Sequence, residues 1–188
     1  MKEVYVVPMV HTVQELGSLE KRIMETRLRL FGAEQTEKFF DQVEQYWQEA
    51  ERKIEGAGLF QPEIAAGAQI FIDSLPNVNE YIVQKVLQDL IRQGSPAYKI
   101  IDRLQKAGAK VWGTEDTNLL LEEYRYWQDV ASGKKIIDIL EIEKLLRARD
   151  RAITRRINLV MSENGEIGIV FIGAKHNLMF KTVKIINL

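Results

Sequence analysis

Short apolar runs near both ends of the chain, separated by helix-patterned sequence, constrain this fold more than any other feature. Val4-Tyr5-Val6-Val7 is β-branched and aromatic and is followed by Pro8, while Ile167-Gly168-Ile169-Val170-Phe171-Ile172 is apolar throughout. Runs of this length and composition read as buried strands. Gln69-Ile70-Phe71-Ile72-Asp73 and Ala109-Lys110-Val111-Trp112 read as two more, and Thr182–Leu188 as a final strand. Strands without polar alternation need cover on both faces, and helix-length connections suit parallel pairing. The expectation is an α/β fold: a mainly parallel or mixed central sheet of about four to five strands, flanked by helices on both faces. With 188 residues, no internal repeat and no proline-rich linker, the chain reads as one domain over 1–188.

The segments between the strands carry helical spacing and caps. Residues 18–31 read as a helix stopped by Gly32, and residues 33–54 as a longer one with the stripe Phe39, Phe40, Val43, Trp47, Ala50 and Ile54. Asn77 or Asn79 caps a helix carrying Ile82, Val83, Val86 and Leu87; another covers residues 97–107. Asp116 or Thr117 caps a helix with Leu120, Leu121, Tyr124 and Trp127, and one long or two abutting helices follow over residues 136–161. Trp47, Trp112 and Trp127 all occupy apolar-face positions and are expected in the core. The Gly/Ala-rich residues 56–68 suggest a mobile loop.

Composition excludes several chemistries. There is no cysteine, hence no disulfide, thiolate metal site, iron–sulfur cluster or cysteine nucleophile. A formal charge of −1 gives no electrostatic case for nucleic-acid binding. No apolar run approaches the ~18–20 residues of a spanning helix, and the N-terminus lacks a signal-peptide pattern, so no membrane association and a cytoplasmic location are expected. Walker and dinucleotide glycine loops, His-Glu-x-x-His and Gly-x-Ser-x-Gly are all missing.

What remains is imidazole and carboxylate chemistry. The two histidines, His11 and His176, each follow an apolar strand. Ligands in open α/β sheets collect outside the C-terminal strand ends, so adjacent parallel first and last major strands would bring both imidazoles to one mouth. Asp73 and Glu115 stand at two other strand ends. Together these groups suit either acid–base work or a divalent ion such as zinc, manganese or iron. Plainer roles compete: a satisfied polar group for each histidine, a turn former for Asp73 and a helix cap for Asp116. Glu115 has no such structural duty. Arg149 shares helical spacing with Leu146, Ile153, Ile157 and Val160, so it falls within an apolar stripe. There it needs a carboxylate or anionic ligand, unless it snorkels outward or pairs with Asp150 or a nearby glutamate. Arg151, Arg155 and Arg156 lie on another face and read as solvated charge.

A strand ending in His11, the Arg149-Asp150 helix, and a terminal strand running into Gly173-Ala174-Lys175-His176 together resemble the TraB/Tiki group, related to erythromycin esterase-like and ChaN-like proteins. That group has two Gly-x-x-His motifs at opposite ends of the domain, with an acidic residue and an arginine between them. The second motif matches at Gly173 and His176; in the first, Pro8 stands where glycine is expected. The resemblance implies a compact α/β domain with both histidines and acidic residues around a central cleft. It also implies hydrolase chemistry on a small-molecule or peptide substrate, metal-dependent in some members. On this reading His11, His176, Glu115 and Arg149 are catalytic, and His11, His176, Glu115 and Asp73 ligate metal. The alternative is a non-catalytic binding or assembly domain with a degenerate pocket, its aromatic-rich helices forming a homo-oligomer surface.

Overall fold

The computed structural model describes residues 2–10, 20–180 and 183–188. The elements in order are β1 (Lys2–Met9), α1 (Glu20–Gly56), α2 (Pro62–Ala65), β2 (Ala68–Pro76), α3 (Glu80–Arg92) and α4 (Pro96–Lys106). They continue with β3 (Lys110–Glu115), α5 (Thr117–Ala131), α6 (Ile139–Asn164), β4 (Ile167–Gly173) and β5 (Val183–Asn187). Among the described residues the strands form a five-stranded sheet in the order β3-β2-β4-β1-β5. Every pairing is parallel. The α/β expectation therefore holds, and all five C-terminal strand ends lie along one edge.

Side-chain alternation divides the core between two faces. Tyr5, Val7, Met9, Ile70, Ile72, Ile169 and Phe171 join Trp47, Ala50 and Ile54 of α1, with Leu87 of α3 and Ile101 and Leu104 of α4. Val4, Phe71, Val170 and Ile172 face Ile153, Ile157, Val160 and Met161 of α6 on the other side. The chain leaving β2 thus passes over the first face. The chain leaving β4 passes over the second, where Leu178 and Phe180 pack. Adjacent strands whose connections part to opposite faces leave a crevice at their C-terminal ends. Here that crevice lies between β2 and β4.

Local signals act as expected at most helix ends. Gly32 interrupts α1 with φ 78° and ψ 171°, a left-handed conformation that glycine adopts without a Cβ penalty. Asn79, Ser95, Asp116 and Asp138 cap α3, α4, α5 and α6 with their side-chain oxygens. The segment after α1 differs from the loop expected for residues 56–68: it contains α2 and buries Leu59 and Ala65, because its apolar side chains pack beneath the sheet. Trp47 is buried as expected and Trp112 is half-buried, donating to Gln69 Oε1 at 2.8 Å. Trp127 is 43% exposed, since no element among the described residues covers the outer side of α5. No helix among the described residues is long and apolar enough to cross a membrane.

A candidate acid–base site at the C-terminal strand edge

An irregularity in β2 shapes the site. Ile72 pairs with Gly113 and Pro76 with Glu115, so four steps along β2 match two along β3. A bulge of this kind bends the strand and re-aims side chains. The close approach requires Gly113, where a Cβ would stand 2.0 Å from the Pro76 carbonyl oxygen. Thr114 Oγ1 donates to the Ile72 carbonyl at 2.9 Å, and Asn77 N–H to the Glu115 carbonyl at 2.8 Å. Asp73, for which a turn-forming role competed with a ligand role, is buried within the strand and ion-paired with Arg149.

Arg149 holds this cluster together from α6. Its guanidinium donates from Nε to Glu115 Oε2 at 3.2 Å, and from Nη2 to Glu115 Oε1 and to Asp73 Oδ1. Nη1 reaches Glu123 Oε2 of α5 at 2.5 Å. The Arg149 side chain is 7% exposed and that of Glu115 is fully buried. A guanidinium this deep is tolerable only with its charge matched and its donors filled, which three carboxylates achieve. The arginine inferred from the helical stripe does point inward. Its partners are Glu115, Asp73 and Glu123; Asp150, its sequence neighbour, turns elsewhere.

His176 forms the second half of the cluster. A turn closed by His176 N–H donating to the Gly173 carbonyl at 3.0 Å folds the imidazole back over the end of β4. Its Nδ1 lies 2.6 Å from Asp150 Oδ1 and its Nε2 lies 3.4 Å from Asp73 Oδ2. Asp150 Oδ2 accepts from Asn177 N–H at 3.2 Å. Asp73 Oδ2 accepts from Gly173 N–H at 2.9 Å, and a Cβ at Gly173 would sit 3.0 Å from that same oxygen. The glycine of Gly-x-x-His thus lets a buried carboxylate approach the backbone, while the turn carries the histidine to it.

The two buried carboxylates are pushed apart in acidity. Burial raises Glu115, and its hydrogen bond to Asp73 raises it further, against the opposing pull of Arg149, so it stands above the usual carboxylate range. Burial also acts upward on Asp73. There it is outweighed by the Glu115 hydrogen bond, the nearby His176, the Gly173 amide and Arg149, which hold Asp73 low. The two carboxylates titrate as a coupled pair, Glu115 raised and Asp73 lowered by their surroundings.

Asp73, Glu115 and His176 from the strand ends and Arg149 from the α6 stripe therefore lie together. His11 lies outside the described residues. β1 itself ends beside β4, with Met9 paired to Gly173, and α1 anchors that end: Tyr46 Oη donates to the Pro8 carbonyl and Trp47 Nε1 to the Val10 carbonyl. Asp150 and Glu123 join the cluster without having been singled out as site residues. Asp150 was legible only as the residue beside Arg149, about 100° further around the helix and thus off the buried stripe. Asp150 also borders a pocket of about 400 Å³ on the outer side of α6. No family model, curated protein or solved structure matches the chain.

Proposed function

We propose that this chain is a hydrolase-like α/β protein whose acid–base centre is the line Glu115–Asp73–His176–Asp150. The observation that carries the reading is the position of His176. One ring nitrogen faces the buried carboxylate pair and the other faces the carboxylate that opens on the pocket. An imidazole so placed can pass a proton between an enclosed reservoir and an accessible base. In this scheme Asp150 takes a proton from water, and the water oxygen adds to an electrophilic carbonyl or phosphoryl centre. The bond to the leaving group then breaks, and that group takes the proton back from Asp150. His176 and the carboxylate pair buffer the charge, while Arg149 positions the pair. The TraB/Tiki resemblance at Gly173 and His176 supports the same class of chemistry.

A divalent ion is the second form of this reading, favoured by one observation: ligand atoms of Asp73, Glu115 and His176 all lie within 4.8 Å of one another. The donor set suits zinc, manganese or iron. The fit is poorer than that of the proton relay, however. Arg149 already engages both Glu115 oxygens, and tetrahedral zinc at ~2.0–2.1 Å from its ligands draws them to roughly 3.4 Å apart. A metal would have to share Glu115 with the arginine and draw its ligands closer together against that neighbouring positive charge. The deciding measurement is metal analysis of the purified protein with thermal shift against divalent ions. A melting temperature that rises with ion concentration, and loses that rise in His176→Ala and His11→Ala, would restore the metal form.

The catalytic reading is tested by turnover of a panel of esters, amides and phosphate esters. Asp150→Asn and His176→Ala should each lower turnover by about 10²–10⁴-fold in folded protein. Equal activity in both variants, or none in the parent protein across the panel, would sink it.

A different class of function, assembly with a second copy, is favoured by the surface around the start of α6. Ile136, Ile137, Ile139 and Leu140 are 62–86% exposed. Tyr126 Oη hydrogen-bonds the backbone of Asp138, holding this segment against α5, whose Tyr124 and Trp127 are also exposed. Clustered apolar exposure of this kind marks interaction surfaces. Light scattering separates the cases: a dimer that Ile137→Lys with Leu140→Lys dissociates supports assembly, and a monomeric parent protein refutes it.

A further inference from the structure

We propose that the pocket beside Asp150 is a binding site for a small amphipathic oxyanion, namely a carboxylate or phosphate monoester with a short apolar tail. Its lining includes Asp150, Arg151, Arg155, Asn158, Asn177 and Met179, and its volume of about 400 Å³ falls within the range of small-molecule sites. Two elements build it. On α6, the residues flanking the buried stripe supply the arginines, Asn158 and the base. After β4, the extended chain alternates: Leu178 and Phe180 pack into the second-face core, which leaves Asn177 and Met179 on the pocket.

Charge selects the ligand. Among the described residues, neither Arg151 nor Arg155 has an ion-pair or hydrogen-bond partner, unlike Arg147 on the same helix, which pairs with Glu143. The acid of the pocket, Asp150, is already engaged by His176 and by the Asn177 amide. Two unpaired guanidinium groups, beside amide donors, match the planar or tetrahedral oxygens of a carboxylate or phosphate. Met179, largely exposed, provides adaptable apolar surface for a tail. An oxyanion held by the arginines would lay the adjoining part of the molecule along Asp150. For that catalytic meaning the inference rests on the acid–base reading; as a binding site it stands separately.

The test is calorimetric titration of the full chain with hexanoate and hexyl phosphate, with hexanol and inorganic phosphate as controls. The expected result is saturable one-to-one binding of at least one of the two amphiphilic anions, and much weaker binding of both controls. Which anion binds more tightly identifies the headgroup. Arg151→Gln with Arg155→Gln should weaken binding at least tenfold, as should Met179→Asp, with unchanged circular dichroism. Absence of saturation by about 10 mM, or binding that survives the arginine substitutions, would overturn the site. The two claims fail separately. Anion binding without turnover leaves this site and removes the acid–base reading, whereas turnover of neutral esters without anion binding does the reverse.

Discussion

Arg149 and the pair Arg151 and Arg155 belong to one helix, lie within seven residues of one another, and meet opposite fates. Arg149 is enclosed by Glu115, Asp73 and Glu123; Arg151 and Arg155 face solvent beside a pocket, with no partner among the described residues. The difference is angular. Position 149 continues the row of Ile153, Ile157 and Val160 onto the sheet, while positions 151 and 155 turn away from it. A single helix therefore supplies both the cation that organises a buried carboxylate pair and the cations available to a ligand. Asp150 lies between the two groups and joins them through His176.

Substitutions can break or sharpen this contrast. Arg149→Leu should have the largest effect, about 3–5 kcal/mol of lost stability by denaturant unfolding, because it strands buried carboxylates without their counter-charge. A loss below about 1 kcal/mol would show that the network is dispensable to the fold. Gly173→Ala comes next, with roughly 1–2 kcal/mol lost as the new methyl group presses on Asp73 Oδ2; a crystal structure in which Asp73 keeps its contact to the residue 173 amide would refute that account.

Glu115→Gln separates the protonation states more gently. Because Glu115 is held above its unfolded value, its stabilising contribution is complete below about pH 4.3 and is lost as pH rises through its folded-state value. Asp73 behaves oppositely: held low, it stabilises above about pH 3.9, and that contribution disappears as pH falls through its folded-state value. The pH profile of unfolding free energy should therefore lose its decline above pH ~4.3 in Glu115→Gln and keep its acid limb. An unchanged profile would mean that burial does not raise Glu115 in the folded protein. Arg151→Gln with Arg155→Gln should have the smallest effect on stability, within about 0.5 kcal/mol by the same unfolding assay. A larger loss would mean that these guanidinium groups have structural partners, and the contrast along α6 would fail.

Several of these assignments were legible in the chain. His176, Asp73 and Glu115 each follow an apolar run, and a parallel sheet brings such positions to one edge. Arg149 stood out because an arginine within an aliphatic stripe needs compensation. Less was legible where contacts depend on distant geometry. Arg156, read as solvated with its neighbours, is half-buried with its guanidinium 5.1 Å from the Trp112 ring centroid, because β3 brings that ring beneath α6. Leu121, Tyr124 and Trp127 have the spacing of a buried stripe, yet α5 leaves them exposed. Helical periodicity shows that residues share a face; it does not show that another layer covers it.

By itself, then, the sequence determined the alternation of strands and helices, the capped helix ends, the exclusion of thiol chemistry, and the confinement of polar candidates to strand ends and one stripe. Those properties follow from local backbone preference and from the need to bury apolar area. Tertiary structure alone decided that β4 lies between β1 and β2, that Asp73 and Glu115 from neighbouring strands meet Arg149, and that His176 joins Asp150 to the carboxylate pair. Strand order and side-chain partnership are set by contacts between residues far apart in the chain, such as the 100 positions between Gly173 and Asp73. No local pattern encodes such a pairing, because its free energy exists only once the layers have packed.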